Sequence, residues 1–186
     1  MTSRRRKEVH VHGTVFLTKG VDVSHIDEAL RPWLDYIEVA SIGEVKSVEQ
    51  QEPGIAHDPR ERTVEICWTG EIGRAFGARL TESFQALGPL TEYASEIEVT
   101  YYHENGEDEL VLMFVGPTAE SIHEVRRQCA VEDVDVALSR YLGREEVDQV
   151  VSLVNDLFAK DWEKRGGTAE PDSTTLAPRP RGKHLH

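Results

Sequence analysis

Two runs of alternating apolar residues flank the dipeptide Asn105-Gly106, and this pattern constrains the fold more than any other part of the chain. Asn-Gly suits the positive φ angles of a two-residue type I′ turn, so residues 95–115 are predicted to form a β-hairpin. Such a turn sets Glu104 opposite Glu107, and counting outward predicts three apolar pairs on the face toward the core. These pairs are Tyr101 with Leu110, Val99 with Leu112, and Ile97 with Phe114.

The second face of this hairpin is predicted to be apolar as well. In the same register, the residues that point away from the core are Val111, Met113 and Val115. A further layer should cover them, because exposed apolar surface of that size is uncommon. The long C-terminal helix, another strand layer and a second subunit are the three alternatives, and the last would make the protein a homodimer.

Elsewhere the apolar residues alternate between a period of two and a helical period. Strands are predicted at residues 9–17, 38–48 and 63–69, and helices at residues 24–37, 73–87, 122–129, 134–142 and 144–165. Ser24 with Asp27 resembles a capping box, and Pro32 should split the first helix. Residues 49–62 contain two prolines and a glycine and are predicted to form a long loop.

This order of elements predicts an α+β fold. We expect a mainly antiparallel sheet of about five strands with helices packed on one face, followed by C-terminal helices. A ferredoxin-like βαββαβ core would satisfy the order of the first elements.

The two ends of the chain differ in composition from its middle. Residues 1–8 are basic, and residues 166–186 are rich in Gly, Pro, Ser and Thr without an apolar period. We therefore expect a basic disordered arm and a disordered tail around a single α+β domain at residues 9–165. Both ends are net positive, so the excess of 34 Asp and Glu over 21 Lys and Arg belongs to the domain.

Composition excludes several classes of function. A net charge of −13 argues against direct nucleic-acid binding by the folded domain, which needs a basic surface. No apolar run approaches the roughly 18 residues of a membrane span. Two cysteines form no disulfide framework, so we expect a cytoplasmic location. No GxSxG or CxxC motif is present, and no catalytic residue or cofactor is predicted from such motifs.

A metal site is one alternative that the histidines raise. His10 and His12 are two residues apart in a predicted strand, so both imidazoles point to one face. Glu65 and Cys67 share a face of the returning strand in the same way. If the two strands are neighbours, His10, His12, Glu65 and Cys67 meet as four ligands of the types that zinc prefers. The corresponding function would be a metal-dependent enzyme.

Acidic residues dominate the middle of the chain. The segment from Leu80 to Val125 contains no Lys or Arg. The acidic residues predicted to form a partner-binding patch on the outer face and loop of the hairpin are Glu96, Glu98, Glu104, Glu107, Asp108 and Glu109. Like charges gathered in this way favour association with a basic partner, because the partner relieves their repulsion.

The sequence thus predicts a non-enzymatic binding or regulatory module that engages a basic protein. Alternate residues of a strand lie about 6.8 Å apart, close to the spacing of successive phosphates, so one form of this hypothesis is that the carboxylates act by nucleic-acid mimicry. The alternatives are the metal-dependent enzyme and a self-assembling structural subunit.

Overall fold

The computed structural model describes residues 7–103 and 106–166. Its strands are β1 (Lys7–Phe16), β2 (Gly54–Asp58), β3 (Thr63–Ile72), β4 (Ser95–Tyr102) and β5 (Glu109–Val115). Its helices are α1 (Val23–Ala29), α2 (Arg31–Tyr36), α3 (Phe76–Leu87), α4 (Ala119–Leu138) and α5 (Arg144–Lys164), with short 3₁₀ turns at Ile42–Glu44 and Gly88–Leu90. The basic arm up to residue 6 and the tail from residue 167 lie outside the described residues.

The five strands form one antiparallel sheet in the order β2-β3-β1-β4-β5. The predicted α+β class, with an antiparallel sheet and C-terminal helices, is therefore confirmed. The first four strands, with α1 to α3, have the βαββαβ order of a ferredoxin-like core, and β5 extends the sheet beyond β4. Among the described residues, no helix is both long enough and apolar enough to cross a membrane.

The core lies between one face of this sheet and the helices α1, α2 and α3. Val9, Val11 and Val15 of β1 alternate toward it and are fully buried, as the period of two predicts. From the helices, Trp33 of α2 and Phe76 of α3 meet edge to face with ring centroids 6.3 Å apart. Because one set of β1 and β3 residues is buried in this core, the alternate residues of both strands point to the opposite face of the sheet.

The first helix is split as Pro32 predicts, because proline at the start of α2 lacks an amide hydrogen for the preceding turn. The predicted cap is wrong by two residues. Asp22, not Ser24, accepts from the first-turn amides, and His25 closes the capping box in place of Asp27. Asp27 instead accepts from the Ile42 amide at 2.7 Å and holds the following loop.

The predicted strand at residues 38–48 is wrong, and β2 lies instead inside the predicted loop at residues 49–62. Glu38 has a φ of 60°, and Ile42 and Val45 are buried three residues apart around a 3₁₀ turn, so their spacing is not that of a strand. β2 begins at Gly54 and pairs with β3, placing Ile55 beside Ile66. The flanking prolines stand just outside β2, where no ladder hydrogen bond is required of them.

The predicted register of the hairpin is wrong by one residue. Val99 is opposite Val111 and Ile97 is opposite Met113, so Val111, Met113 and Val115 face the core rather than solvent. The strands end at Tyr102 and Glu109, and the loop between them is too long for a two-residue turn to set the pairing. Asn105 lies outside the described residues, and the Gly106 amide donates to the His103 carbonyl at 2.9 Å.

The second face of the hairpin is covered by α4. This face carries Leu110, Leu112 and Phe114, and the Arg126 guanidinium of α4 lies over the Phe114 ring at 5.8 Å. The helix is continuous from Ala119 to Leu138, where two shorter helices were predicted. Helices α1 to α3 thus occupy one face as expected, whereas α4 lies on the opposite face and α5 packs outside it.

Candidate metal centre

The pairing of β1 with β3 brings the predicted metal ligands together. These strands are adjacent and antiparallel, and His12 lies directly opposite Cys67. His10, two residues earlier, projects from the same face because side chains on a strand alternate. That face is opposite to the α1–α3 core, and α4 packs against the β4–β5 side of it. His12 is exposed and His10 and Cys67 are half-buried, so solvent reaches the three side chains.

Three ligand atoms converge there. One ring nitrogen of His10, one of His12 and the Cys67 sulfur all lie within 4.8 Å of one another. The two imidazoles are nearly parallel, with 14° between their planes and 5.9 Å between their centroids. A tetrahedral zinc ion with Zn–N of about 2.0 Å and Zn–S of about 2.3 Å holds its ligand atoms roughly 3.5 Å apart. Side-chain rotations that move the ligand atoms by about 1 Å would therefore close the group around an ion.

Glu52 stands behind His10 and completes the arrangement. Its carboxylate oxygen lies 3.3 Å from His10 Nδ1 and accepts from the Thr69 hydroxyl at 3.1 Å. The Ser47 hydroxyl donates to its other oxygen. Because the Thr69 hydroxyl gives its hydrogen to Glu52, it accepts from His10 Nδ1 at 2.9 Å. This chain fixes the proton on Nδ1 and leaves the Nε2 lone pair for a metal, as in the carboxylate–histidine pairs of zinc proteins.

Glu52 is the functional residue that the sequence did not reveal. It lies in the loop before β2, 42 positions from His10, and no motif relates the two. The loop is brought to β3 by backbone and side-chain bonds, in which the Val48 amide donates to the Thr69 carbonyl and the Thr69 amide to the Ser47 hydroxyl. Only the folded chain shows that a carboxylate of this loop reaches the β1 histidine.

Negative charge surrounds the cluster. The strand positions on this face of the sheet include six carboxylates and no Lys or Arg in the described part of the chain. The six are Glu8, Asp58, Glu65, Glu71, Glu96 and Glu98. Burial raises the pKa of the Cys67 thiol, and the charges of Glu52 and Glu65 raise it further. A divalent cation is favoured in this field and would stabilise the thiolate.

Glu65, the fourth predicted ligand, is not part of the cluster. It pairs with Thr14, is exposed, and lies outside the group of ligand atoms within 4.8 Å. Its spacing of two from Cys67 gives it the same face but not the same place along the strand. Three of the four predicted residues therefore converge, and Glu65 contributes charge to their surroundings.

The predicted acidic patch is divided between the two faces of the hairpin. Glu96 and Glu98 lie on the α4 face, where the Cys129 thiol of α4 donates to Glu96. Glu109 pairs with Tyr101 on the core face and lies 3.7 Å from His103 Nε2. The expectation of one outer face is wrong because of the register shift. Glu107 and Asp108 lie in the loop, and Glu104 is outside the described residues.

Two imidazoles and one thiolate are borderline ligands that suit zinc and the later first-row metals. Bound by His10, His12 and Cys67, a zinc ion would keep a fourth tetrahedral position for water. There it would supply Lewis-acid chemistry and lower the pKa of the bound water, as zinc sites with an open position do.

Together, the sheet and the cluster define a ferredoxin-like α+β protein with a His-His-Cys group on its open face. The chain belongs to a family of unknown function (DUF6806), whose profile matches residues 7–159. The matched region contains every strand, the three converging residues and Glu52. Comparisons with curated proteins and with solved structures each gave no match.

Proposed function

We propose that this protein binds zinc through His10, His12 and Cys67, with the fourth position of the ion open to solvent. The observation that carries the proposal is the convergence of three ligand atoms within 4.8 Å on adjacent strands. The hydrogen-bond chain from His10 through Thr69 to Glu52 supports it, because it prepares one imidazole for coordination. A thiolate ligand persists in a reducing compartment, which is consistent with the proposed cytoplasmic location.

Zinc affinity can be measured by competition with a chromophoric chelator on the reduced full-length chain. We expect one ion per chain and a loss of at least about 100-fold in affinity in His12→Ala and in Cys67→Ser, since each removes a direct ligand. Cys129→Ser is the matched control for Cys67→Ser, and Glu65→Gln removes the predicted ligand that lies outside the cluster. Because His184 and His186 near the end of the chain also offer imidazoles, all variants should be made in a His184→Ala/His186→Ala background.

Cobalt substitution gives a second readout of the thiolate ligand. Co²⁺ bound by Cys67 should show a sulfur-to-metal charge-transfer band in the near ultraviolet, absent from Cys67→Ser and retained in Cys129→Ser. Unchanged zinc affinity and an unchanged cobalt band in Cys67→Ser would contradict the proposed site.

A second candidate function is the binding of a basic protein by the acidic surface, as the sequence predicts. The observation that favours it is the set of six carboxylates at described positions of one sheet face without a Lys or Arg among them. Such a field accelerates encounter with a cationic partner. Nucleic-acid mimicry has less support, because Glu96 and Glu98 are the only two described acidic residues of the hairpin that the register places in one row.

Charge reversal tests this second function. We expect Glu8→Lys/Glu65→Lys/Glu98→Lys, at three exposed positions of this face, to weaken binding of a basic probe, poly-L-lysine, and to flatten its salt dependence. The matched control reverses three exposed acids of α5, Glu145, Asp156 and Glu163. Equal losses in both triple variants would show that net charge alone governs binding and would reject a specific acidic surface.

A further inference from the structure

Helix α5 carries an apolar stripe that does not face the rest of the described chain. Leu153 and Leu157 are exposed by 56% and 55% of their surface, although both are large apolar residues in the middle of a 21-residue helix. Val150 is half-buried beside them. Extending the same spacing of three and four residues in both directions reaches Glu146 toward the start of the helix and Lys160 and Lys164 toward its end. This alternation of three and four is the heptad spacing of a helix that packs along a second helix.

The stripe is separate from the face that packs against α4. Val147 is fully buried, and Phe158 and Trp162 contact His123 of α4 with ring centroids at 5.5 and 4.8 Å. At 100° per residue, the mean direction of these contacts is about 120° around the helix from that of Leu153 and Leu157. The remaining side of α5 is polar and includes Ser152 and Asp156. The helix therefore has two apolar stripes, and α4 covers only one of them.

The residues of the stripe match those of a second α5 stripe that runs in the opposite direction, both in charge and in apolar character. When a second α5 is laid antiparallel with its centre at Asn155, Leu153 faces Leu157 of the second copy. In the same alignment, Glu146 faces Lys164 and Val150 faces the aliphatic stem of Lys160. Each contact occurs twice because a two-fold axis relates the copies. A parallel arrangement would instead set Glu146 against Glu146 and Lys164 against Lys164, which like-charge repulsion disfavours.

We propose that the protein forms a two-fold symmetric homodimer through antiparallel packing of α5 on α5. Leu153 and Leu157 form the centre of the interface, and two Glu146–Lys164 ion pairs set its direction and register. A helix of this length supplies about 30 Å of contact along its axis. The interface lies on α5 and is therefore distinct from the open face of β1 and β3 that carries the metal cluster.

The stoichiometry of the full-length chain tests this proposal. We expect sedimentation equilibrium to show a dimer whose dissociation constant rises at least about tenfold in Leu153→Ser/Leu157→Ser. Both leucines are exposed in one chain, so the variant should keep the helical circular dichroism of the wild type. Val136→Ser is the matched control, because Val136 is 59% exposed on α4 and lies outside the stripe.

Charge exchange tests the antiparallel register. Glu146→Lys and Lys164→Glu should each weaken the dimer, and the double variant should restore it, because the two ion pairs are then re-formed with their charges exchanged. Glu163→Lys changes charge on the polar side and should leave association unchanged. A monomeric wild type would overturn the proposal, as would a dimer that persists in the double leucine variant. Association should be measured with and without EDTA. A dimer that dissociates in EDTA would be bridged by metal and would reject α5 as the interface.

Discussion

At the scale of single residues, the environment of His10 distinguishes this cluster from two histidines that only share a strand face. Its Nδ1 is bracketed by Thr69 and Glu52, and Glu52 in turn is held by Ser47. A ligand whose tautomer and ring orientation are already fixed loses less entropy when an ion binds. Among the described residues, His12 has no hydrogen-bond partner and stacks on the His10 ring, so the two histidines should respond differently to changes nearby.

Glu52→Gln should therefore weaken zinc binding although Glu52 is not proposed as a ligand. We expect a loss of about 10- to 100-fold in affinity, the usual effect of removing a carboxylate that supports a ligating histidine. Chelator competition measures it, and Glu65→Gln controls for the loss of one negative charge near Cys67. Equal losses in the two variants would show that Glu52 acts through its charge and not by orienting His10.

The two cysteines should differ in reactivity. Burial raises the pKa of Cys129 to about 12, and its hydrogen bond to Glu96 adds to the effect. The thiol of Cys67 is also shifted upward, but it lies on the open face of the sheet. Because the thiolate is the reactive species, iodoacetamide at pH 8 should modify Cys67 first. Peptide mass spectrometry should also show that zinc protects Cys67 and leaves the slow rate at Cys129 unchanged.

At the scale of elements, α4 and α5 are joined by a polar contact as well as by their aromatic residues. The Arg127 guanidinium binds Glu124 one turn earlier and also donates to Asn155 of α5. The hydrogen bond from Arg127 lowers the pKa of Glu124 from 4.5 to about 2. Glu124 thus holds an arginine in the position where it reaches the neighbouring helix.

This contact predicts a pH-dependent contribution to stability. The folded-state pKa of Glu124 lies below its unfolded value, so the stabilisation is complete above about pH 4.5 and disappears as the pH falls through about 2. Glu124→Gln should lower the melting temperature at pH 7, and its difference from the wild type should vanish near pH 2. Thermal melts followed by circular dichroism measure both. A difference that is the same at every pH would contradict the assignment.

The start of β2 depends on a glycine. Gly54 has a φ of 78°, and a Cβ at this position would lie 2.5 Å from the Val45 carbonyl oxygen. Gly54→Ala should destabilise the fold by about 2–4 kcal/mol, from left-handed strain together with the clash. Gly20→Ala separates the two causes, because Gly20 has a φ of 93° with open space around it and should cost only about 1–2 kcal/mol. Chemical denaturation measures both values. Equal losses of stability would show that the backbone at Val45 moves away from the added Cβ.

Elements with one strong period were predictable from the sequence. The alternation in β1 and the helical stripe of α3 each place their buried residues correctly, whereas α5 buries Val147 but leaves Leu157 of its apolar pattern exposed. The sequence missed what contacts distant in the chain decide. Ile55 makes β2 a strand only because Ile66 lies beside it, and the hairpin register follows the burial of Val111 and Met113 and not its turn dipeptide.

The candidate site was predictable to the same extent. His10 and His12 follow from spacing alone, and Cys67 follows once β1 and β3 are taken as neighbours. Glu65 lies on the correct face of β3, but it is opposite Thr14 and not opposite a histidine. The alternation of side chains predicts the face and not the distance along the strand. Glu52 reaches the site through loop hydrogen bonds that leave no periodic signal in the sequence.

At the scale of the whole molecule, the two halves of the outer sheet face are used differently. Helix α4 covers the half formed by β4 and β5, and the half formed by β1 and β3 stays open with its histidines, its cysteine and its carboxylates. The proposed dimer interface on α5 is outside both. Zinc binding and self-association should therefore be independent, and their effects on stability should add.

Zinc should stabilise the native state because the ligands come from separate strands that only folding brings together. An ion that binds the native state alone, at a free concentration 100 times its dissociation constant, adds about 2.7 kcal/mol to the free energy of unfolding. For a chain of this size, that corresponds to a rise of roughly 5–10 °C in melting temperature. Differential scanning calorimetry of the reduced protein should show this rise, and Cys67→Ser should abolish it while Cys129→Ser retains it. Leu153→Ser/Leu157→Ser should keep the full zinc-dependent rise and lose only the dependence of its melting temperature on protein concentration. If the zinc effect disappeared together with the dimer, the ion would be bound between subunits and not by the strands of one chain.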